Sequence, residues 1–224
     1  MTRELKQPRL AWLAMMAVCA APLVARADDG RLKDAETVLT EMAGGGDQQI
    51  PLDLIKKAQC LVIVPGVKKA AIGVGGQYGR GYMTCRESAG QWSAPGGVRI
   101  EGGSVGFQIG GSETDVIMIV MNDKGIDRLL SNKFTVGADA TVAAGPIGRQ
   151  ASAQTDATMR AEMLAWSHAR GVFAGIALQG ATLREDSDEN KALYGKAMTN
   201  RQIVKGNIPA PAAAKSLMAA LAKY

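Results

Sequence analysis

The chain has 224 residues, of which 27 are glycine and only 4% are aromatic. Basic residues outnumber acidic ones by 26 to 21, but residues 1–27 hold four of the former and one of the latter. The remaining 197 residues therefore count 22 against 20, a net charge of +2 that is too small for a nucleic-acid-binding surface. Their number suits one domain with a substantial core. We expect no nucleic-acid partner.

The N-terminal residues 1–27 have the three parts of a secretory signal peptide. A basic segment (residues 3–9) precedes an apolar stretch (residues 10–24), and Ala25-Arg26-Ala27 offers small residues for cleavage. The apolar stretch is shorter than the ~20 residues that a membrane-spanning helix needs. We predict a signal peptide over 1–27 and a mature domain over 28–224, located in the periplasm or otherwise exported, at the periphery of a membrane.

The next elements are two helices and a strand. Apolar residues at helical spacing predict an amphipathic helix over residues 31–43, and a second short helix follows over 51–57. A strand over 60–64 then ends in a turn at Pro65-Gly66. The apolar stripe of the first helix is able either to enter a membrane interface or to pack on a sheet, and packing is the default for a helix with so little net charge.

Glycine alternation marks the middle of the chain. Residues 71–83 have glycines at every second position along much of one face, and residues 98–111 repeat the pattern less densely. Such a period predicts extended strands. Because glycine weakens a plain strand, glycines on one face indicate tight curvature or the close approach of another backbone.

The remaining elements complete an α+β fold. In chain order they are an apolar central strand over 116–121, a helix over 123–130, strands over 135–144, 159–167 and 171–183, a charged surface helix over 186–198, and a terminal helix over 212–221. About seven strands joined by glycine-rich turns predict a strongly curved, glycine-rich antiparallel β-sheet or open barrel with flanking helices. We expect a single domain with a short C-terminal helical tail.

No sequence pattern predicts a catalytic, metal or cofactor site. The single histidine, His168, follows Ser167 directly, and adjacent residues on a strand face opposite sides. Histidine and cysteine lack the spacing of metal ligands. The glycine run 73–81 matches neither a dinucleotide loop nor a P-loop. We predict that the protein is not an enzyme and needs no cofactor.

Two cysteines remain after residue 27, Cys60 and Cys85. Disulfides persist in exported proteins, so the two are candidates for a bond. The sequence leaves a second interpretation open, that of two separately buried thiols, because Cys60 opens an apolar run and the Cα separation is unknown.

Basic residues near the first strands form the candidate binding surface. Lys68, Lys69 and Arg80 flank the strands, and Arg31 and Lys33 lie on the first helix. Basic residues beside apolar ones suit anionic lipid head groups. On spacing alone, an ordinary solvated set of lysines is the alternative.

Several segments, in order, resemble the bacterial SYLF domain family, a lipid-binding family that is related to the actin-binding domain of yeast endocytic adaptors, and the resemblance implies a bacterial origin. The segments run from about residue 30 to 200. They are Cys60 to Gly81, Trp92-Ser93-Ala94-Pro95, Gly102 to Gly110, Gly137 to Arg149 and Ser167 to Gly180. The chain departs from the family pattern at Gly96-Gly97 and at Trp166-Ser167-His168.

The resemblance implies binding of membrane phospholipid without catalysis. It places the lipid contact on the first helix, Arg31 to Met42, and on Lys68 and Lys69. We therefore expect an exported protein that recognises anionic phospholipid head groups or membrane surfaces. The alternative is a cell-envelope structural or protein-interaction module without a lipid ligand, whose protein partner is unknown.

Overall fold

The structure, a computed structural model, describes residues 29–43, 49–131, 133–139, 141–146, 161–169, 172–174, 178 and 180–224. The predicted signal peptide, residues 159 and 160 of a predicted strand, and residues 140, 147–149, 170, 171, 175–177 and 179 of the SYLF-like segments lie outside them. The elements are α1 (Asp29–Met42), α2 (Leu52–Lys57), β1 (Cys60–Cys85), β2 (Gly96–Val120), α3 (Asp123–Leu129), β3 (Lys133–Thr135), β4 (Val142–Ala144), β5 (Met163–Ala169), β6 (Val172–Ala174), β7 (Thr182–Glu185), α4 (Ser187–Tyr194), α5 (Asn200–Lys205), a 3₁₀ turn (Ala212–Ala214) and α6 (Lys215–Leu221).

The centre of the fold is one long antiparallel hairpin. β1 has 26 residues and β2 has 25, and their register runs from Cys60 opposite Val120 to Met83 opposite Gly96. Two separate strands were predicted within 60–83 and two within 98–121. This prediction was wrong, because each pair is one continuous strand. The predicted turn at Pro65-Gly66 is instead a register shift between Val64 and Val67.

Gly66 explains why the chain bends there without leaving the sheet. Its φ of +56° is a conformation that glycine adopts at little cost. Its N–H donates a hydrogen bond to the Asp115 carboxylate on β2, 2.8 Å away. The bulge therefore redirects β1 while its backbone stays bonded to its neighbour strand.

The curled hairpin brings the two halves of β1 into contact. A Cβ atom added at Gly81 would lie 2.0 Å from the carbonyl oxygen of Ile63, and one at Gly79 would lie 2.8 Å from the side chain of Val67. The close backbone approach that the glycine face predicted is therefore confirmed at these positions. Only glycine leaves room for it.

The other strands extend the hairpin into a seven-stranded sheet in the part of the chain that is described. β7 pairs with the first half of β2, and β5 with the second half. β3 continues the sheet beyond β7, while β4 and β6 pair with β5. All pairs are antiparallel except β4 with β5. The predicted α+β class, a curled sheet with flanking helices, is confirmed.

Parts of both faces of the hairpin are buried. One core contains Val62, Met118 and Phe134; the other contains Ile63, Trp166 and the apolar side of α1. Leu32, Leu39 and the other apolar residues of α1 pack there against β1 and α6. The apolar stripe is thus used inside the fold, in line with the default interpretation.

Two predicted elements differ in detail, and one helix was not predicted. The strand predicted over 135–144 is interrupted: β3 ends at Thr135, Gly137 follows with a φ of +85°, and β4 begins at Val142. The helix predicted over 186–198 is the shorter α4, which ends at Gly195 with a φ of +69°. The unpredicted helix is α5, although Thr199 and Gln202 form a capping box at its start.

Candidate functional site

An open groove of about 570 Å³ lies between α1 and the bend of the hairpin. One wall is α1, and the other consists of the bulge of β1, its residues 78–80, and the facing part of β2. Among residues whose side chains are described, Tyr78 is the only exposed large hydrophobic residue, with 49% of its surface accessible. Its ring lines this groove.

The groove unites three of the five residues predicted to bind lipid. Arg31, Lys68 and Arg80 all line it. Lys33 is exposed on α1 but is not part of the lining, and Lys69 follows Lys68 on β1, so its side chain points to the other face of the strand. Partial burial of Lys69 lowers the pKa of its ammonium group.

Arg31 and Arg80 are both bound to carboxylates of the α4 region. Arg31 Nη1 lies 2.8 Å from Glu189 Oε2, and Arg80 Nη2 lies 3.5 Å from the same oxygen. Arg80 Nε also donates to Asp186 Oδ2, and this hydrogen bond raises the pKa of the Arg80 guanidinium. The side chains of Asp186 and Glu189 are 1% and 5% exposed. The two arginine charges are therefore compensated from inside the protein.

Tyr82 joins this group from the core side. Its hydroxyl donates to Glu189 Oε1 over 2.6 Å. Burial is the main reason that the pKa of Tyr82 is raised, and the hydrogen bond to Glu189 adds to it. We call Arg31, Arg80, Tyr82, Asp186 and Glu189 the ionic cluster; it ties α1 and β1 to α4.

α4 and the first residue of α5 are anchored on Gly97. The Gly97 N–H donates to Asn190 Oδ1 over 2.7 Å, and Asn200 Nδ2 donates to the Gly97 carbonyl over 3.0 Å. A Cβ at Gly97 would lie 2.8 Å from that of Glu189. At Gly96-Gly97, where the chain departs from the family pattern, helix and strand are thus in close contact.

The region 186–198 was therefore wrongly interpreted as a charged surface helix. Asp186, Glu189 and Asn190 are buried. The sequence did contain a signal for the start of α4, because Asp186 and Glu189 are three residues apart. Asp186 caps α4 by accepting from the Glu189 N–H. Local sequence cannot reveal their basic partners, which lie more than 100 residues earlier.

Carboxylates also line the groove directly. Asp34 and Glu41 lie on α1, and Glu113 and Asp115 lie on β2. Glu113 is the cross-strand partner of Lys68, and Asp115 holds the Gly66 N–H. The lining thus has four carboxylates beside three basic residues, and is not the purely cationic surface that the sequence suggested.

The histidine and serine considered for catalysis lie on β5. His168 is opposite Asp115, and Ser167, which is buried, is opposite Val116. Within the described residues, no group of three or more histidine, cysteine or carboxylate side chains is placed to hold a metal ion. None of the helices described there has the length and apolar character to cross a membrane.

Comparison with known proteins identifies the family. The model of the Ysc84 family, described as Las17-binding protein actin regulator, matches residues 101–224, more than half of the chain. The chain belongs to the Ysc84 (SYLF domain) family. An SH3 domain-containing protein of Schizosaccharomyces pombe is 36% identical over 177 residues, which are 77% of this chain and 41% of that protein.

Two further relatives extend the comparison. Protein YSC84 of Saccharomyces cerevisiae is 32% identical over 78% of this chain and 38% of its own length. SH3 domain-containing YSC84-like protein 1 of Homo sapiens is 32% identical over 83% of this chain and 56% of its own length. The chain thus spans about two fifths of the yeast relatives and just over half of the human one. These relatives are eukaryotic, and a bacterial origin stays a prediction.

In this Ysc84-family chain, a disulfide joins the two ends of β1. Cys60 and Cys85 are bonded, with their Cα atoms 3.9 Å apart. Beside it, the Arg86 N–H donates to the Gln59 carbonyl, and the Arg86 guanidinium stacks on Trp92 at 4.1 Å. The bond closes the curled strand into a loop with a sequence separation of 25.

Removing this disulfide is expected to destabilise the domain. The double variant Cys60→Ala, Cys85→Ala should lose about 3 kcal/mol of unfolding free energy, as expected for a loop of this length. Urea unfolding of the oxidised protein, the reduced protein and the double variant measures the loss. Equal stability of all three would contradict the assignment.

Proposed function

We propose that this Ysc84-family protein is a non-catalytic membrane-binding module, and that the groove between α1 and the hairpin contacts phospholipid head groups. The observation that carries the proposal is the combination of an open groove, the exposed Tyr78 ring and the basic side chains of Arg31, Lys68 and Arg80 in one lining. Tyrosine, with an apolar ring and a polar hydroxyl, suits the interface between membrane and water.

We also propose export, because residues 1–27 have the pattern of a signal peptide. Cleavage there leaves a net charge of +2. With so small an excess, and with Arg31 and Arg80 compensated by Glu189 and Asp186, long-range attraction to an anionic surface is weak. Vesicle binding should therefore rest on short-range contacts such as that of Lys68, so added salt should weaken it less than Lys68→Glu does.

Binding to vesicles of phosphatidylethanolamine and phosphatidylglycerol tests the proposal. Lys68→Glu is expected to lower the affinity about ten-fold, since one basic residue contributes ~1 kcal/mol near an anionic surface and the change reverses its charge. Tyr78→Ser should also weaken binding, because it removes the apolar ring. Co-sedimentation measures both effects.

Lys205→Glu is the matched control. Lys205 is exposed on α5 and lines a second pocket beside Arg86, not the groove. It carries the same change of charge, so a surface-wide electrostatic effect would weaken both variants equally. If Lys68→Glu and Tyr78→Ser bound as well as the unaltered protein, the groove would not be the membrane contact.

The second candidate is a protein-interaction module. One relative, of Saccharomyces cerevisiae, is named LAS seventeen-binding protein 3 and is 32% identical over 79% of this chain. This chain covers only 39% of that relative, so the shared region need not carry the named activity. Purification with a stoichiometric protein partner and no lipid would favour this function over membrane binding.

A further inference from the structure

The charges that line the groove are arranged as neighbouring pairs of opposite sign. Asp34 follows Arg31 by three residues on α1, which places their Cβ atoms about 5–6 Å apart. Lys68 and Glu113 are directly opposite on β1 and β2, with Cβ atoms about 5 Å apart. A basic and an acidic side chain are thus adjacent on each wall.

Resting on the function proposed above, we propose that the groove takes a zwitterionic phospholipid head group. Its phosphate lies near Arg31, Arg80 and Lys68. Its ammonium group lies near Asp34 and Glu113. In phosphoethanolamine and phosphocholine, two carbons separate the phosphate ester from the ammonium nitrogen. Both charges of such a head group can therefore meet neighbouring side chains of opposite sign at the same time.

The guanidinium groups of Arg31 and Arg80 offer the phosphate a defined place in the groove. Arg31 and Arg80 both approach Glu189, so their guanidinium groups lie close together. Their side chains are still 18% and 28% exposed, and both line the groove. A guanidinium has five N–H donors. In Arg80, Nε and Nη2 face the buried carboxylates of Asp186 and Glu189, and Nη1 can donate to a phosphate.

A purely anionic head group fits the same lining less well. It would bring negative charge close to the carboxylates of Asp34 and Glu113, and it has no positive group of its own to face them. The ammonium group of a zwitterion removes this repulsion. The exposed ring of Tyr78 offers the ammonium a further favourable contact, since cations are attracted to aromatic faces.

Vesicle binding by the full chain tests the proposal. The unaltered protein should bind vesicles of phosphatidylcholine and phosphatidylethanolamine at least as well as vesicles containing phosphatidylglycerol. The double variant Asp34→Asn, Glu113→Gln should bind the zwitterionic vesicles about five-fold more weakly, the upper end for one exposed charge pair, and the anionic vesicles more tightly. If the double variant does not fold, Asp34→Asn alone takes its place in the test. It is one isosteric change at an exposed position.

The control is Glu87→Gln, Asp188→Asn, which removes the same charge outside the groove lining. It should leave the preference among vesicles unchanged. If the unaltered protein bound only the phosphatidylglycerol vesicles, the head-group proposal would be overturned while membrane binding stood. Binding to neither kind of vesicle would overturn membrane binding as well.

Discussion

Glu189→Ala is expected to lower the free energy of unfolding by about 3 kcal/mol. This loss is toward the lower end for a broken buried ion pair, because Arg31 and Arg80 are partly exposed. The change removes the carboxylate that Arg31, Arg80 and Tyr82 share. It reduces the negative charge that faces the two arginines, and it leaves the buried Tyr82 hydroxyl without the acceptor that Glu189 provides. Denaturant unfolding measures the loss.

Asp188→Ala is the matched control for that variant. Asp188 is the preceding residue of α4 and is exposed, so its replacement should change stability by less than about 0.5 kcal/mol. The two variants remove the same formal charge from the same helix. If both cost the same, the ionic cluster would contribute nothing beyond the charge of α4.

Gly81→Ala is expected to destabilise the domain by about 3 kcal/mol or more, the upper end for overpacking. The new Cβ would lie 2.0 Å from the Ile63 carbonyl oxygen and 2.7 Å from the Val64 Cα. Both are backbone atoms, so no side-chain movement relieves the contact. The two halves of β1 would have to separate.

Gly76→Ala provides the comparison on the same strand. There a Cβ would lie 3.9 Å from the nearest atom, the Gly102 carbonyl oxygen, which is an ordinary contact. We expect Gly76→Ala to shift the urea midpoint of unfolding no more than an ordinary surface substitution does. Equal losses for the two variants would show that glycine is needed along β1 for another reason than close approach.

The sequence predicted the kind of fold because periodicity reports local structure and burial. Glycines on one face of residues 71–83 indicated a close backbone approach, and Gly79 and Gly81 make it. The apolar stripe of α1 indicated the helix and its packed side. Pro65-Gly66 was misinterpreted because a β-bulge and a chain-reversing turn use the same residues.

The site was predicted in part for a different reason. Arg31, Lys68 and Arg80 were named from their charge, and the fold does bring them to one groove. What local sequence could not reveal was which acids neutralise them. Asp186 and Glu189 are far away in the chain, so their burial against the arginines depends on the three-dimensional packing of α4.

The most direct test of membrane binding through the groove is NMR of the protein with bicelles that contain a paramagnetic lipid. We predict that the amide signals of Gly30, Lys68 and Gly79, which line the groove, broaden strongly. The signals of Ser88 and Asn207, beside the second pocket, should broaden little. Broadening centred on the second pocket, or none at all, would contradict the account.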